Sequence, residues 1–199
     1  PIIIRANSDQ ILLLFCYVLI LNVVSIYLSS SKSWNETRIV SFLATLIVYS
    51  IYYKFFSPES WEKPFFYISS FFVVYMVGVI YSSLFGKDKP EGINLYLGIL
   101  NGLNFTFWSI FIFRSFHASY AIPLVIVGFF FLGTSALIYF KSENSKIPSL
   151  LYFIIGLALI AISGGDIGKI FITKGMDSVV NAFVWTFIVF LLYSVSYFL

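Results

Sequence analysis

The sequence predicts an all-α protein, a polytopic transmembrane helical bundle of about seven spans arranged as antiparallel sequential hairpins. Of its 199 residues, 60% are hydrophobic and only 11% are charged. Soluble domains are typically about 45–50% apolar and about 25% charged, so this chain has too little charge for a water-facing surface. Its apolar runs are near the roughly 20 residues that a helix needs to cross a bilayer. They are too long for membrane β-strands of about 9–11 residues.

Short polar connections rich in Gly and Pro separate the apolar runs. Gly and Pro end one helix and begin the next, and short connections make sequential helices antiparallel neighbours. We therefore treat residues 1–199 as a single bundle. The predicted spans are 11–29, 39–56, 65–85, 93–113, 121–140, a sixth that starts near Ser149, and 179–199.

The sixth span is the one whose extent the sequence leaves open. Its apolar core, residues 150–162, is followed by Ser-Gly-Gly-Asp, and thirteen helical residues cover only roughly 20 Å. We favour a helix that ends near Ser163, with Gly-Gly-Asp as an interfacial loop. Alternatively, the helix continues to about residue 172 and places Asp166 and Lys169 on one face within the membrane. A buried Asp needs a partner, and Lys169 is then the obvious one, as in the broken helices of transporters.

The fourth span carries three asparagines, Asn94, Asn101 and Asn104. Spacings of seven and three place them along one helix face, which we expect to point into the bundle. The favoured interpretation is interhelical hydrogen bonding, worth about 0.6 kcal/mol per pair on average. The alternative is a polar pathway or ligand pocket. Asn22 and Asn181, from the first and seventh spans, are candidate partners.

Signals for enzymatic chemistry are weak. The sequence contains no zinc-binding His-Glu-x-x-His, no nucleophile elbow and no phosphate-binding loop. Cys16 is the only cysteine and His117 the only histidine. We therefore predict no catalytic residue, no cofactor and no metal. The basic residues are spread singly, which argues against nucleic acid as a partner.

The Lys and Arg count does not orient the bundle. Six of these residues fall on each side, with Arg38 counted among the loop charges, so the positive-inside rule gives a tie. The chain begins with Pro1, and its last apolar run has no polar anchor after Leu199. From the tie and the two ends we expect a fragment of a longer protein.

Two stretches resemble a bacterial family. One is Gly-Leu-Ala-Leu-Ile-Ala-Ile at 156–162, followed by a polar break and Asn-Ala-Phe-Val-Trp at 181–185. The other is Leu-Tyr-Leu-Gly-Ile-Leu-Asn-Gly at 95–102. Together they are similar, over roughly the second half of the chain, to large predicted membrane proteins of unknown function (domain of unknown function 2339). Ser-Gly-Gly-Asp stands where a proline is expected in the break. The resemblance implies many serial hairpins in a longer chain, and no established activity.

Three functions follow as hypotheses. The first is a non-enzymatic helical bundle, part of a larger membrane protein or assembly, whose partners are the lipid bilayer and other membrane helices or subunits. The second is a transporter or channel that uses the asparagine face and the Gly-Gly-Asp break. The third is an enzyme acting on a lipid-linked substrate, which would require Asp166, Asp177 and His117 around one pocket. We expect the bacterial inner (cytoplasmic) membrane as the location.

Overall fold

The computed structural model describes residues 8–32, 35–84, 92–141 and 146–171, together with 179, 182, 185–187, 189 and 193. Within these ranges the structure is helical and contains no strand, which confirms the all-α class. In this part of the chain, six helices are each long and apolar enough to cross a membrane. They are α1 (Ser8–Lys32), α2 (Asn35–Phe56), α3 (Glu62–Leu84), α4 (Ile93–Ser115), α5 (Ala121–Lys141) and α6 (Lys146–Phe171).

Three of these helices have a proline at their third position. Pro64, Pro123 and Pro148 stand there in α3, α5 and α6. The first four backbone N–H groups of a helix have no partner within the helix, so a proline in the first turn removes no hydrogen bond. This explains how α3 can include Lys63 and Pro64, which were predicted to precede the third span.

Helix α6 contradicts the favoured prediction for the sixth span. It continues without a break from Lys146 through Ser163 and both glycines to Phe171, so the prediction of an end near Ser163 is wrong. Two polar side chains in this last part of α6 have hydrogen-bond partners, so the helix need not end for them to be solvated. Ser163 donates to the Ile160 carbonyl at 2.6 Å, and Asp166 accepts hydrogen bonds from the start of α5.

The seventh predicted span lies mostly outside the described residues. The seven residues of it that are described are helical. Among them, the Thr186 hydroxyl donates to the Ala182 carbonyl at 2.8 Å, a bond between residues four apart that is typical of a helix.

Packing divides the chain into two compact units, Pro1–Trp108 and Ser109–Leu199, here called the first and second units. The prediction of a single bundle over 1–199 stays a prediction. In the first unit, α2, α3 and α4 meet around Phe42, Tyr75, Val79 and Leu97.

An aromatic cluster lies near the other end of α2 and α3, where α1 packs against them. Phe15 of α1 stacks on Tyr67 of α3, with ring centroids 4.0 Å apart. The same ring packs edge-on against Tyr52 of α2 at 4.9 Å. Such ring pairs contribute about 0.5–1.5 kcal/mol beyond their buried area, so they help to join α1, α2 and α3.

The second unit is built on close packing of α5 against α6. A Cβ atom added at Gly128 would lie 2.9 Å from the Gly156 carbonyl oxygen, and one added at Gly156 would lie 2.8 Å from the Gly128 carbonyl oxygen. Further along, Ser135 donates to the Ser149 carbonyl at 2.7 Å, and Ser149 donates to the Ser135 carbonyl at 3.0 Å. Small residues thus let the two backbones approach closely, as is common between membrane helices.

Candidate functional site: polar clusters between the helices

Polar and charged side chains are buried inside helices that are apolar enough to cross a membrane. Their burial is costly in lipid unless they are paired, and an ionisable residue at such a place is a functional candidate by default. Three clusters stand out among the described residues. Two belong to the first unit and are centred on Arg38 and Asn22. The third belongs to the second unit and is centred on Asp166.

The arginine cluster consists of Arg38, Ser30, Ser82 and Asn94. Arg38 is fully buried, with 0% of its surface exposed. Its Nη1 atom donates to the Asn94 side-chain carbonyl and to the Ser82 hydroxyl, the latter at 3.2 Å, and its Nη2 atom donates to the Ser30 hydroxyl at 3.4 Å. Ser30 lies near the end of α1 and Arg38 near the start of α2. Ser82 lies near the end of α3 and Asn94 near the start of α4. One guanidinium thus joins four helices.

This site was not predicted from the sequence, because Arg38 was counted as a loop charge. The predicted second span began at residue 39, whereas α2 begins at Asn35. A signal was present in the sequence: Arg38, Phe42, Thr45 and Tyr49 follow each other at spacings of four, three and four, which place them on one face. All four are at most 3% exposed. Extending that inward face by one turn would have predicted a buried arginine.

A second cluster surrounds Asn22 in the middle of α1. Its side-chain carbonyl accepts hydrogen bonds from Ser41 at 2.6 Å, Thr45 at 3.0 Å and Tyr75 at 2.9 Å. The Tyr75 hydroxyl also lies 3.0 Å from the Ser41 hydroxyl. This cluster ties α1 to α2 and α3. The hydrogen bonds found for Asn22 therefore do not go to the asparagines of α4, as the sequence analysis had suggested, and its other candidate partner, Asn181, lies outside the described residues.

The asparagine face of α4 is directed inward at two of its three positions. Asn94 is 4% exposed and belongs to the arginine cluster, and Asn101 is 2% exposed. The side-chain amide of Asn101 donates to the Phe72 carbonyl of α3 at 2.9 Å. Asn104 is half-buried. Asn94 and Asn101 thus hydrogen-bond to neighbouring helices, as the interhelical interpretation requires.

Asp166 is 2% exposed and caps the start of α5. Its Oδ2 atom accepts a hydrogen bond from the Ser119 hydroxyl at 2.6 Å and another from the Tyr120 backbone N–H at 3.0 Å. Ser119 in turn accepts from the Ala121 N–H at 3.3 Å. A carboxylate next to the first N–H groups of a helix is stabilised by hydrogen bonds and by the helix dipole. The predicted partner Lys169 has a side chain that lies outside the described part of the chain.

Neither a metal site nor an acid–base constellation emerges from the described residues. Within them, no three His, Cys, Asp or Glu side chains are grouped so that they could hold a metal ion. His117 is exposed in the α4–α5 connection, in the left-handed region at φ 54°. Asp177, which the enzyme hypothesis also required, lies outside the described residues.

The chain matches one protein family along almost its whole length. The family model, described as Predicted membrane protein (DUF2339), covers residues 1–195. The resemblance seen in the second half therefore extends over both units. No curated protein and no solved structure matches the chain. With six membrane-length helices among its described residues, the chain belongs to this family of predicted membrane proteins.

Proposed function

We propose that the chain is a non-enzymatic, membrane-embedded helical bundle that forms part of a larger membrane protein or assembly. The observation that carries this proposal is the direction of the buried polar side chains, which hydrogen-bond from one helix to another. Arg38, Asn22 and Asn101 each bond to a helix of the first unit other than their own, and Ser135 bonds to Ser149 across the α5–α6 pair. Such bonds hold membrane helices in register where hydrophobic burial cannot.

The outward faces support contact with lipid or with further helices. In the most apolar stretch of α1, and likewise of α2, 22% of the residues are buried, compared with 50% in each of the other four helices. Large apolar side chains cover the exposed face of α1, including Leu13 at 68% and Tyr17 at 60% exposure. The resemblance noted in the sequence is to bacterial proteins, so we include the bacterial inner membrane in the proposal as the location.

A stability measurement tests the structural part. Asn101→Ala removes the bond to Phe72, and we expect it to lower the thermal unfolding midpoint of the full protein in nanodiscs. Asn104→Ala, at the half-buried position on the same helix, is the matched control and should change the midpoint less. Equal midpoints for the wild type and both variants would contradict the proposed role of the asparagine face.

The assembly part is tested by crosslinking in intact cells. A photoreactive amino acid replaces Tyr17 on α1, and the control replaces Val77, which is 54% exposed on α3. The proposal predicts a discrete protein adduct from position 17, because α1 has the more open face. If both positions yield only lipid adducts, the assembly part is wrong.

A second candidate is transport of a small solute or ion, favoured by the burial of two ionisable side chains, Arg38 and Asp166. A pathway in either unit would require the buried ionisable group of that unit to contact the moving solute as well as its present partners. Flux into vesicles containing the wild-type protein, abolished by Asp166→Asn in protein that is still folded in the vesicles, would support this function. Absence of flux for common ions and small metabolites would count against it.

A further inference from the structure

We propose that the first unit binds one zwitterionic phospholipid, with its headgroup in a polar cavity at the α2–α3 connection and an acyl chain in an apolar groove between α1 and α3. This site is separate from the three polar clusters and does not depend on the structural role proposed above.

The polar cavity has a volume of about 380 Å³. It lies where α2 ends and α3 begins, next to the start of α1, so it is at one end of three membrane-length helices. Ser57, Glu59, Ser60 and Lys63 contribute polar groups, and Tyr52 and Tyr67 are among the other residues that line it. Tyrosines are typical of the membrane–water interface, where phospholipid headgroups lie.

The apolar groove has a volume of about 300 Å³ and runs along α1 and α3. Its walls are almost entirely apolar, from Leu12 to Ile20 on α1 and from Phe66 to Phe71 on α3. Eight residues of helix correspond to roughly 12 Å, so the groove accompanies a chain well into the hydrocarbon region. An acyl chain suits such a surface because it is apolar and flexible.

Tyr67 joins the two cavities, since it lines both of them. On α1 the residues that line the polar cavity and the groove are adjacent, Ile11 and Leu12. The polar part therefore lies at the helix ends and the apolar part begins directly beneath it. A polar head above an apolar tail is the chemistry of an amphiphile oriented along the bilayer normal.

Charge complementarity selects the headgroup. The cavity presents one cation, Lys63, and one anion, Glu59, and both side chains are exposed. A zwitterionic headgroup has a matching pair: Lys63 can bind the phosphate, and Glu59 can bind the ammonium of an ethanolamine. An anionic headgroup without an amine would satisfy only Lys63 and would be repelled by Glu59.

The native cysteine provides a direct probe of occupancy. Cys16 is a free thiol that lines the groove. In detergent micelles containing the full protein and added phosphatidylethanolamine, a bound acyl chain should slow alkylation of Cys16 by a maleimide. The matched control is Leu14→Cys in a Cys16→Ser background. Position 14 is at nearly the same depth on α1, is 42% exposed and does not line the groove, so its alkylation should not respond.

Headgroup recognition is tested with the same readout. Lys63→Ala and Glu59→Gln should each raise the phosphatidylethanolamine concentration needed for half-protection by about fivefold, the upper range for an exposed ion pair. Lys54→Ala, an exposed lysine at the end of α2 that does not line the cavity, should leave it unchanged. If Lys63→Ala fails to fold, Lys63→Gln takes its place.

Three outcomes would overturn the proposal. Equal protection at positions 14 and 16 would mean that lipid merely surrounds the helices. If the wild type and both headgroup variants need the same phosphatidylethanolamine concentration for half-protection, recognition by Lys63 and Glu59 is excluded. Equal potency of diacylglycerol or phosphatidylglycerol would exclude a zwitterionic headgroup as the preferred ligand.

Discussion

The closest helix contacts differ in kind between the two units, although both units also have interhelical hydrogen bonds. In the first unit, long polar and aromatic side chains reach across the gaps between helices, as Arg38 does toward Asn94 and as Phe15 does toward Tyr67. In the second unit, α5 and α6 meet almost backbone to backbone at Gly128 and Gly156. Van der Waals packing and interhelical hydrogen bonds both drive the association of helices in membranes.

The difference shows where each unit is vulnerable. A unit joined by polar side chains depends on individual hydrogen-bonding atoms, and removing one leaves its buried partner unsatisfied. A pair of helices in contact at glycines has no space for a side chain at that contact, so adding a single methyl group forces the backbones apart. The following predictions test this contrast by opposite changes, a deletion in the first unit and an addition in the second.

The largest effect is expected for Arg38→Ala. It removes hydrogen bonds to Asn94 and Ser82, and bonds to a charged group are worth about 1.5–3 kcal/mol each. We expect the unfolding free energy to fall by about 3 kcal/mol, measured by denaturant titration in mixed micelles. Arg38→Lys keeps the charge without the planar fork and should lose less. A stability equal to the wild type for Arg38→Ala would contradict the cluster's role.

Gly156→Ala should be the most damaging small change in the second unit. The added methyl group meets the Gly128 carbonyl oxygen at 2.8 Å, and overpacking of this kind typically costs about 1–3 kcal/mol. The control is Gly133→Ala, also in this helix pair, where an added Cβ meets nothing within 4 Å. The thermal midpoint should fall for the first variant and hold or rise for the second. The reverse order would refute the close-approach explanation.

Asp166→Asn should have a smaller effect. Asparagine can still accept hydrogen bonds from Ser119 and Tyr120, but it lacks the charge that favours the start of α5. Such charge–dipole interactions contribute about 0.3–1 kcal/mol, and up to about 2 when partly buried, so we expect a stability loss of about 1 kcal/mol. Hydrogen exchange should show faster opening of the first turn of α5. Unchanged exchange there would contradict the capping role.

The smallest effect is expected for Asn101→Ala, which deletes one neutral hydrogen bond to Phe72. Interhelical bonds of this type average about 0.6 kcal/mol, so the unfolding free energy should fall by about that amount. A loss as large as that of Arg38→Ala would mean that the asparagine does more than join α3 to α4.

The helical membrane class and the presence of six of the spans were predicted correctly from the sequence. The thickness of the bilayer sets the length of apolar run that a membrane helix needs, so the length of each run was enough to identify it. Boundaries were harder. Helices α2 and α3 begin three or four residues earlier than predicted. Polar residues such as Asn35 and Glu62 are tolerated in a first turn, because the N–H groups there need partners outside the helix in any case. Hydropathy alone places a helix start at the first apolar residue and therefore places it too late.

The favoured end of α6 was wrong and the arginine cluster was missed for a shared reason, although the alternative of a helix to about residue 172 agrees with the observed end at Phe171. Both depend on partners far apart in the chain, Asp166 with Ser119 and Arg38 with Asn94. A polar residue at the edge of an apolar run has two physical outcomes, solvation at the interface or pairing inside the bundle. Local sequence does not choose between them, because the choice depends on what the neighbouring helices present.

The central claim is that buried polar side chains bond the helices of the first unit to each other. A double-mutant cycle on Arg38 and Asn94 tests it most directly, using the unfolding free energies of the wild type, Arg38→Ala, Asn94→Ala and the double variant in one membrane mimetic. We predict a coupling of at least about 1 kcal/mol, because the second deletion removes a bond that is already lost. Additive single effects would show that the two side chains do not stabilise the bundle through each other and would contradict the account.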